Sequence, residues 1–119
     1  MHELSIALAL VEQVEGVVRE QGAVGVAKVV VKVGALSGVD PEALREAFPL
    51  AAEDSVVAGA ELMVEGVEAA VRCRVCGKRS RPESPFICCG ECGAGEVDIE
   101  AGRELYIHAI DIDVAEGGV

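Results

Sequence analysis

The chain has 119 residues, about one domain's worth, and at 51% hydrophobic it is too apolar for a disordered acidic tail. Ten Lys and Arg against 21 Asp and Glu give a net charge of −11, and the aromatics are one Tyr and two Phe, which argues against both phosphate-binding and base-stacking nucleic-acid proteins. Five cysteines, an odd number, argue against a framework built only of disulfides.

Met1-His2-Glu3 stands where a secretory signal would carry Lys or Arg, and no apolar run approaches the ~18 residues that span a bilayer. The expectation is a cytoplasmic chain with no membrane partner, where paired cysteines bind metal more often than each other. Residues 4–21 repeat Leu4, Leu8, Val11, Val14 and Val18 at helical spacing, with Glu12, Glu15, Arg19 and Glu20 opposite, and Gly22 and Gly25 close this helix. Val26–Leu36 alternates as a strand, with Val29, Val31 and Val33 on one face and Lys28, Val30 and Lys32 on the other. Asp40-Pro41-Glu42 starts a second helix, with Asp40 as N-cap. Leu44, Ala47, Phe48 and Ala51 face inward, and Pro49 is expected to kink or shorten the helix.

Ala60–Val67 reads as a second strand. Glu104–Val114 reads as a third, whose apolar set changes face near Ala109, and Ala115–Val119 is expected to fray. Between these strands the chain turns rich in Cys, Arg, Pro and Gly. The fold class is therefore α+β: a small three-stranded sheet with two helices, plus an inserted four-cysteine, zinc-ribbon-like lobe. The boundaries fall at 1–70 and 102–119 for the body and 71–101 for the lobe.

Cys73-Arg74-Val75-Cys76-Gly77 and Cys89-Gly90-Glu91-Cys92-Gly93 are two CxxCG turns, with twelve residues between Cys76 and Cys89. Two such turns make a tetrahedral cage of four sulfurs, which suits structural Zn(II). A redox or Fe–S role stays open on spacing alone. With four protein ligands no coordination place remains for a reacting water. Cys88 is left over; it is either a spare thiol or a redox-sensitive alternative ligand, and using it in place of Cys89 would give a poorer CxxxC turn. Arg72, Arg74, Lys78, Arg79 and Arg81 put half of the chain's bases within ten positions. They either neutralise a zinc–tetrathiolate group or form a docking patch for an acidic partner.

At the N-terminus, a bulky His2 is expected to keep Met1 in place. The Met1 amine, the His2 amide nitrogen and His2 Nδ1 can then close fused chelate rings, an N-rich set that suits Ni(II) or Cu(II), with Glu3 as a fourth ligand. The plainer reading of His2 is a frayed surface residue. His108, on the last strand, reads as a surface or partner-facing histidine.

The N-terminal MHE ahead of an amphipathic helix, the segment VVVKVGALSGVDPEALREAF, the paired CxxC motifs and GREL before the terminal strand together resemble the HypA/HybF family. The resemblance covers residues 1–114 and implies a nickel metallochaperone of hydrogenase maturation. It implies nickel ligands Met1, His2 and Glu3, with the Asp40 carboxylate approaching the nickel-binding histidine, and zinc ligands Cys73, Cys76, Cys89 and Cys92. It further implies Ni(II) as cargo, a HypB-like maturation GTPase and the [NiFe] hydrogenase large subunit as partners, urease as an additional client, and a monomer or homodimer that catalyses no reaction. Gly90 departs from the family pattern, in which Pro is common after the first cysteine of the pair, and so does Pro49 in the second helix. The alternatives are a zinc-ribbon adaptor associated with nucleic acid and a CxxC redox protein.

Overall fold

A run of twenty residues without proline lets the first helix, α1 (His2–Gln21), begin two residues earlier than its apolar repeat predicts. Its buried stripe is Ala7, Leu10, Val11, Val14 and Val18. Leu8, expected inside, is about 100° round the helix from Ala7 and is 50% exposed. The helix ends at Gly22, whose φ of 64° is the left-handed turn that glycine adopts without strain. The structure, a computed structural model, describes residues 2–82 and 86–114; the frayed tail expected at 115–119 lies outside them.

Gly22 alone closes the helix, because β1 (Ala23–Gly34) starts at once and carries Gly25 within it. β1 is the centre of a sheet ordered β2-β1-β6, with β2 at Glu61–Val67 and the last strand at Leu105–Val114. Val29, Val31 and Val33 are buried as the alternation predicts, but Val26 and Val30 on the opposite face, expected to be partly wet, are buried as well. Lys28 pairs with Asp111 at 3.9 Å and Lys32 with Glu65 at 3.7 Å, tying the central strand to each neighbour. Along β6 the half-buried positions pass from Ile107 to Ile110 and Ile112, so the apolar set changes face across Ala109 as expected.

α2 (Pro41–Ala52) begins where Asp40 Oδ1 accepts from the Glu42 and Ala43 amides at 3.0 and 3.5 Å. It runs through Pro49 to Ala52 and buries Leu44, Ala47, Phe48 and Ala52. Ala52, rather than Ala51, completes the inward face.

The Cys-rich segment holds three strands that its sequence hides. β3 (Ala70–Cys73), β4 (Arg79–Ser80) and β5 (Val97–Ala101) form a second antiparallel sheet in the order β4-β3-β5. The chain divides into two compact units: one holds the residues up to Lys32, Val39–Glu65 and those from Tyr106 on, and the other holds Val33–Gly38 and Gly66–Leu105. In the second unit a Cβ on Gly34 would lie 2.0 Å from the Gly102 carbonyl oxygen, so only glycine permits that crossing. There the Gly34 amide donates to Glu104 at 2.7 Å and the Leu36 amide to Gly102 at 2.6 Å. By sequence the first unit has 14 acids against four bases, net −10, and the second seven against six, net −1. No helix among the described residues is long and apolar enough to cross a membrane.

Candidate metal centre

Cys73 is the last residue of β3, and the chain folds back over it in a tight turn. The Cys73 amide donates to the Lys78 carbonyl at 2.9 Å and the Gly77 amide to the Cys73 carbonyl at 3.0 Å. Around the second pair the same bonds recur, Cys89 to Ala94 at 2.8 Å and Gly93 to Cys89 at 2.9 Å. Gly77 and Gly93 close the two turns with φ of 77° and 79°, which is why each CxxC is followed by glycine. In each turn two amides point at the first sulfur: Val75 and Cys76 at Cys73 Sγ, both at 3.3 Å, and Glu91 and Cys92 at Cys89 Sγ, at 3.3 and 3.4 Å.

The two turns face each other. Cys73 Sγ lies 3.6 Å from Cys92 Sγ and Cys76 Sγ 3.7 Å from Cys89 Sγ, and all four sulfurs lie within 4.8 Å of one another. Four sulfurs at Zn–S distances of ~2.3 Å in a tetrahedron stand about 3.8 Å apart, so the residues fit a single Zn(II). A multi-iron cluster, with sulfides between its irons, would hold its thiolates further apart. All five cysteines are free thiols, and Cys88 stands outside the group of four.

The charge balance of the four thiols favours a cation among them. The Cys92 and Glu91 amides bring the Cys89 thiol down to about 6, and the Cys76 amide lowers Cys73. At Cys92 the Ala94 amide pulls down, but the Cys73 thiol, burial and the Cys89 thiol outweigh it and push the group up to about 12. Cys76 is raised too, burial and the neighbouring Cys89 and Cys73 outweighing the Lys78 amide. Four packed thiols cannot all ionise alone; a dication at their centre removes that conflict.

The surroundings of Gly90 require a glycine. A Cβ there would sit 2.7 Å from the Arg81 carbonyl oxygen, and its N–H donates to Ser80 Oγ at 2.9 Å. Proline could satisfy neither condition. The basic cluster is largely neutralised by carboxylates. Arg72 and Arg79 each donate to Glu100 at 2.9 Å, Arg74 pairs with Asp98 at 3.4 Å and Arg81 with Glu68 at 3.3 Å. The acids come from β5 and the approach to β3, which the local sequence of the basic run does not show. Glu100 is held below the usual carboxylate range by Arg72 first, with Arg79 adding to it.

In the other unit, His2 and Glu3 open α1. His2 is 62% exposed, and its Nδ1 lies 3.3 Å from Glu3 Oε2. The same oxygen accepts from the Asp40 backbone amide at 3.3 Å. Asp40 therefore meets this cluster through its N–H, while its carboxylate caps α2. This junction joins positions 37 apart and nothing in the sequence pattern announces it. Met1 lies outside the described residues, and His108 is exposed on β6 and is not a member of the four-cysteine group.

Glu3 is held below its ordinary value of 4.5, by the Asp40 amide first and the His2 side chain second. A lowered folded-state value means the contact stabilises fully above 4.5 and is lost as pH falls through the lower value. An NMR titration of the Glu3 carboxyl is expected to give a midpoint below that of a free glutamate; an ordinary midpoint would mean that the Asp40 contact does not persist in solution.

Comparison with known proteins places this architecture. A family model described as hydrogenase/urease nickel incorporation, metallochaperone, HypA matches residues 1–112. The hydrogenase maturation factor HypA of Chlorobium limicola is 38% identical over 113 residues, 95% of this chain and 97% of that protein. The factor of the same name from Aquifex aeolicus is 37% identical over 114 residues, 96% and 99% of the two chains. A solution structure of HypA protein aligns with TM-score 0.71 at 25% identity, over 97% of this chain and 98% of that one. The solution structure of the Ni metallochaperone HypA from Helicobacter pylori shares the fold, with TM-score 0.69 at 23% identity over 95% and 98%. This chain belongs to the HypA family of nickel metallochaperones that serve hydrogenase maturation.

Proposed function

We propose that the chain binds Ni(II) at its N-terminus through the Met1 amine, His2 and Glu3, with Asp40 behind them, and hands it on during [NiFe] hydrogenase maturation. It delivers the ion to the hydrogenase large subunit, working with a HypB-like GTPase, with urease as a further client, in the cytoplasm and without catalysing a reaction. Residues 1–70 and 102–119 form the nickel-binding domain and residues 71–101 the zinc-binding one. Zn(II), held by Cys73, Cys76, Cys89 and Cys92, supplies a structural cross-link.

The observation that carries this reading is the chain of contacts from His2 through Glu3 to the Asp40 amide. It gathers two metal-ligating side chains at one exposed helix start, where a cargo ion can be both held and reached. Glu3 Oε2 already faces His2 Nδ1, so a cation there meets an imidazole nitrogen and a carboxylate oxygen together. The four-sulfur geometry supports zinc, and the pairing of four of the five clustered bases with carboxylates leaves little for a nucleic-acid adaptor to use.

His2→Ala is expected to weaken nickel binding, measured by titration calorimetry, by more than about 100-fold, above what loss of an outer-sphere partner costs, with zinc content unchanged. Equal nickel affinity in the variant would remove His2 from the site.

A further inference from the structure

The two knuckles carry the ligands, but each is a short turn on a lobe with few buried side chains, and something must hold the two in register. β4 is only two residues long, and its pairing with β3 sets Arg72 directly opposite Arg79 and Val71 opposite Ser80. Like charges directly opposite across a strand pair are unfavourable unless an acid lies between them. Glu100 is that acid, accepting from Arg72 Nε with one oxygen and from Arg79 Nε with the other, both at 2.9 Å.

The placing of Glu100 is built into β5. The β3–β5 register steps one residue on β3, from Ala70 to Val71, and two on β5, from Ala101 to Ile99. Glu100 is the extra residue of this bulge, a device that re-aims a side chain. Both arginines then lead to a knuckle. Arg72 Nη1 donates to the Gly77 carbonyl at 3.1 Å, on the glycine that closes the first turn. Ser80, next to Arg79, accepts from the Gly90 amide at 2.9 Å and places its hydroxyl 3.9 Å from Cys89 Sγ in the second turn. The guanidinium groups are half exposed, so these pairs add little to stability; what they fix is geometry.

We propose that Glu100 is a positioning residue of the metal centre, holding the first knuckle through Arg72 and the strand that supports the second knuckle through Arg79. The inference rests on the reading of the four cysteines as a zinc site.

Zinc release from the full chain into excess chelator tests it. Glu100→Gln is expected to release zinc about tenfold faster, the lower end of what supporting partners of metal ligands cost. Glu68→Gln, which breaks the exposed Arg81 pair in the same unit, is expected to stay within about threefold of the parent chain. Arg72→Lys keeps a charge beside Glu100 but lacks the fork that reaches Gly77 as well. It is expected to match Glu100→Gln, and the double variant to be no faster than the faster single one. The thiolate-to-metal absorption of the cobalt-substituted chain is expected to shift in both variants and not in Glu68→Gln, a readout that altered fold stability alone would not move. Release by Glu100→Gln within about threefold of the parent, or effects that multiply in the double variant, overturns the proposal. A parent chain that holds no stoichiometric zinc overturns the zinc reading and this inference with it.

Discussion

Removing the zinc, by chelation or by Cys89→Ser, is expected to unfold residues 66–105 while α1, α2 and the sheet around β1 persist. The reason lies in what each unit buries. Among the described residues of the second unit, the buried apolar side chains are Val33, Ala70, Val71, Cys73 and Cys89, and two of these five belong to the four-cysteine group that could hold a metal ion. Three small aliphatic side chains contribute at most about 3 kcal/mol each when fully buried, against ~10–16 kcal/mol of apparent binding energy for a structural zinc. Cys89 is also the most hydrogen-bonded sulfur of the four, taking two amides and facing the Ser80 hydroxyl. Serine would leave those donors aimed at an oxygen too small to reach the ion. Amide NMR spectra recorded with and without chelator give the answer: β3–β5 resonances should collapse to random-coil positions while those of α1 stay dispersed. Dispersed β3–β5 resonances in metal-free protein would mean that the lobe folds on its side chains alone.

Phe48→Ala is expected to cost about 3–5 kcal/mol, the usual penalty for emptying a fully buried aromatic site. Phe48 is 1% exposed, and Leu44, Val14, Val29 and Val31 are likewise fully buried in the same unit. They are held by α1, α2 and β1, three stiff elements that cannot collapse into the space left behind. The loss is a large part of the ~5–15 kcal/mol that holds a small domain together. Leu50, two positions further on the same helix and 63% exposed, is the control, and its replacement by alanine should change stability by less than about 0.5 kcal/mol. Urea unfolding followed by helical circular dichroism measures both. A Phe48→Ala change below about 1 kcal/mol would mean that the α1–α2 core is not as closely packed as its burial indicates.

How far the sequence could be read follows from the kind of signal each element gives. α1 and α2 bury one face, β1 buries its run of valines, and β2 and β6 half-bury spaced positions, so an apolar pattern shows in the order of residues. The Asp40-Pro41-Glu42 start and the paired CxxCG turns are local chemistry, visible without tertiary structure. Leu8 and Ala51 mark the limit of that reading, since an apolar residue at the rim of a stripe is placed by the neighbour and not by its own spacing. The strands of the Cys-rich lobe do not show because they are short and their ordering contacts are polar and distant. Arg72 meets Glu100 across 28 positions, and Glu100 reaches it through a bulge that no alternation pattern reveals. The Glu3–Asp40 junction is hidden in the same way, one partner being a backbone amide. For the same reason the basic cluster looks like a free patch in the sequence, although four of its five members have a carboxylate beside them in the fold.

That nickel is held at the N-terminus is tested most directly by adding a few residues ahead of Met1 and titrating the full chain with nickel. The extension replaces a primary amine by an amide and moves it from the start of α1, while leaving His2, Glu3 and the cysteines in place. The expected result is loss of nickel binding with zinc content unchanged. An extended chain that binds nickel as tightly as the unextended one would contradict the N-terminal site.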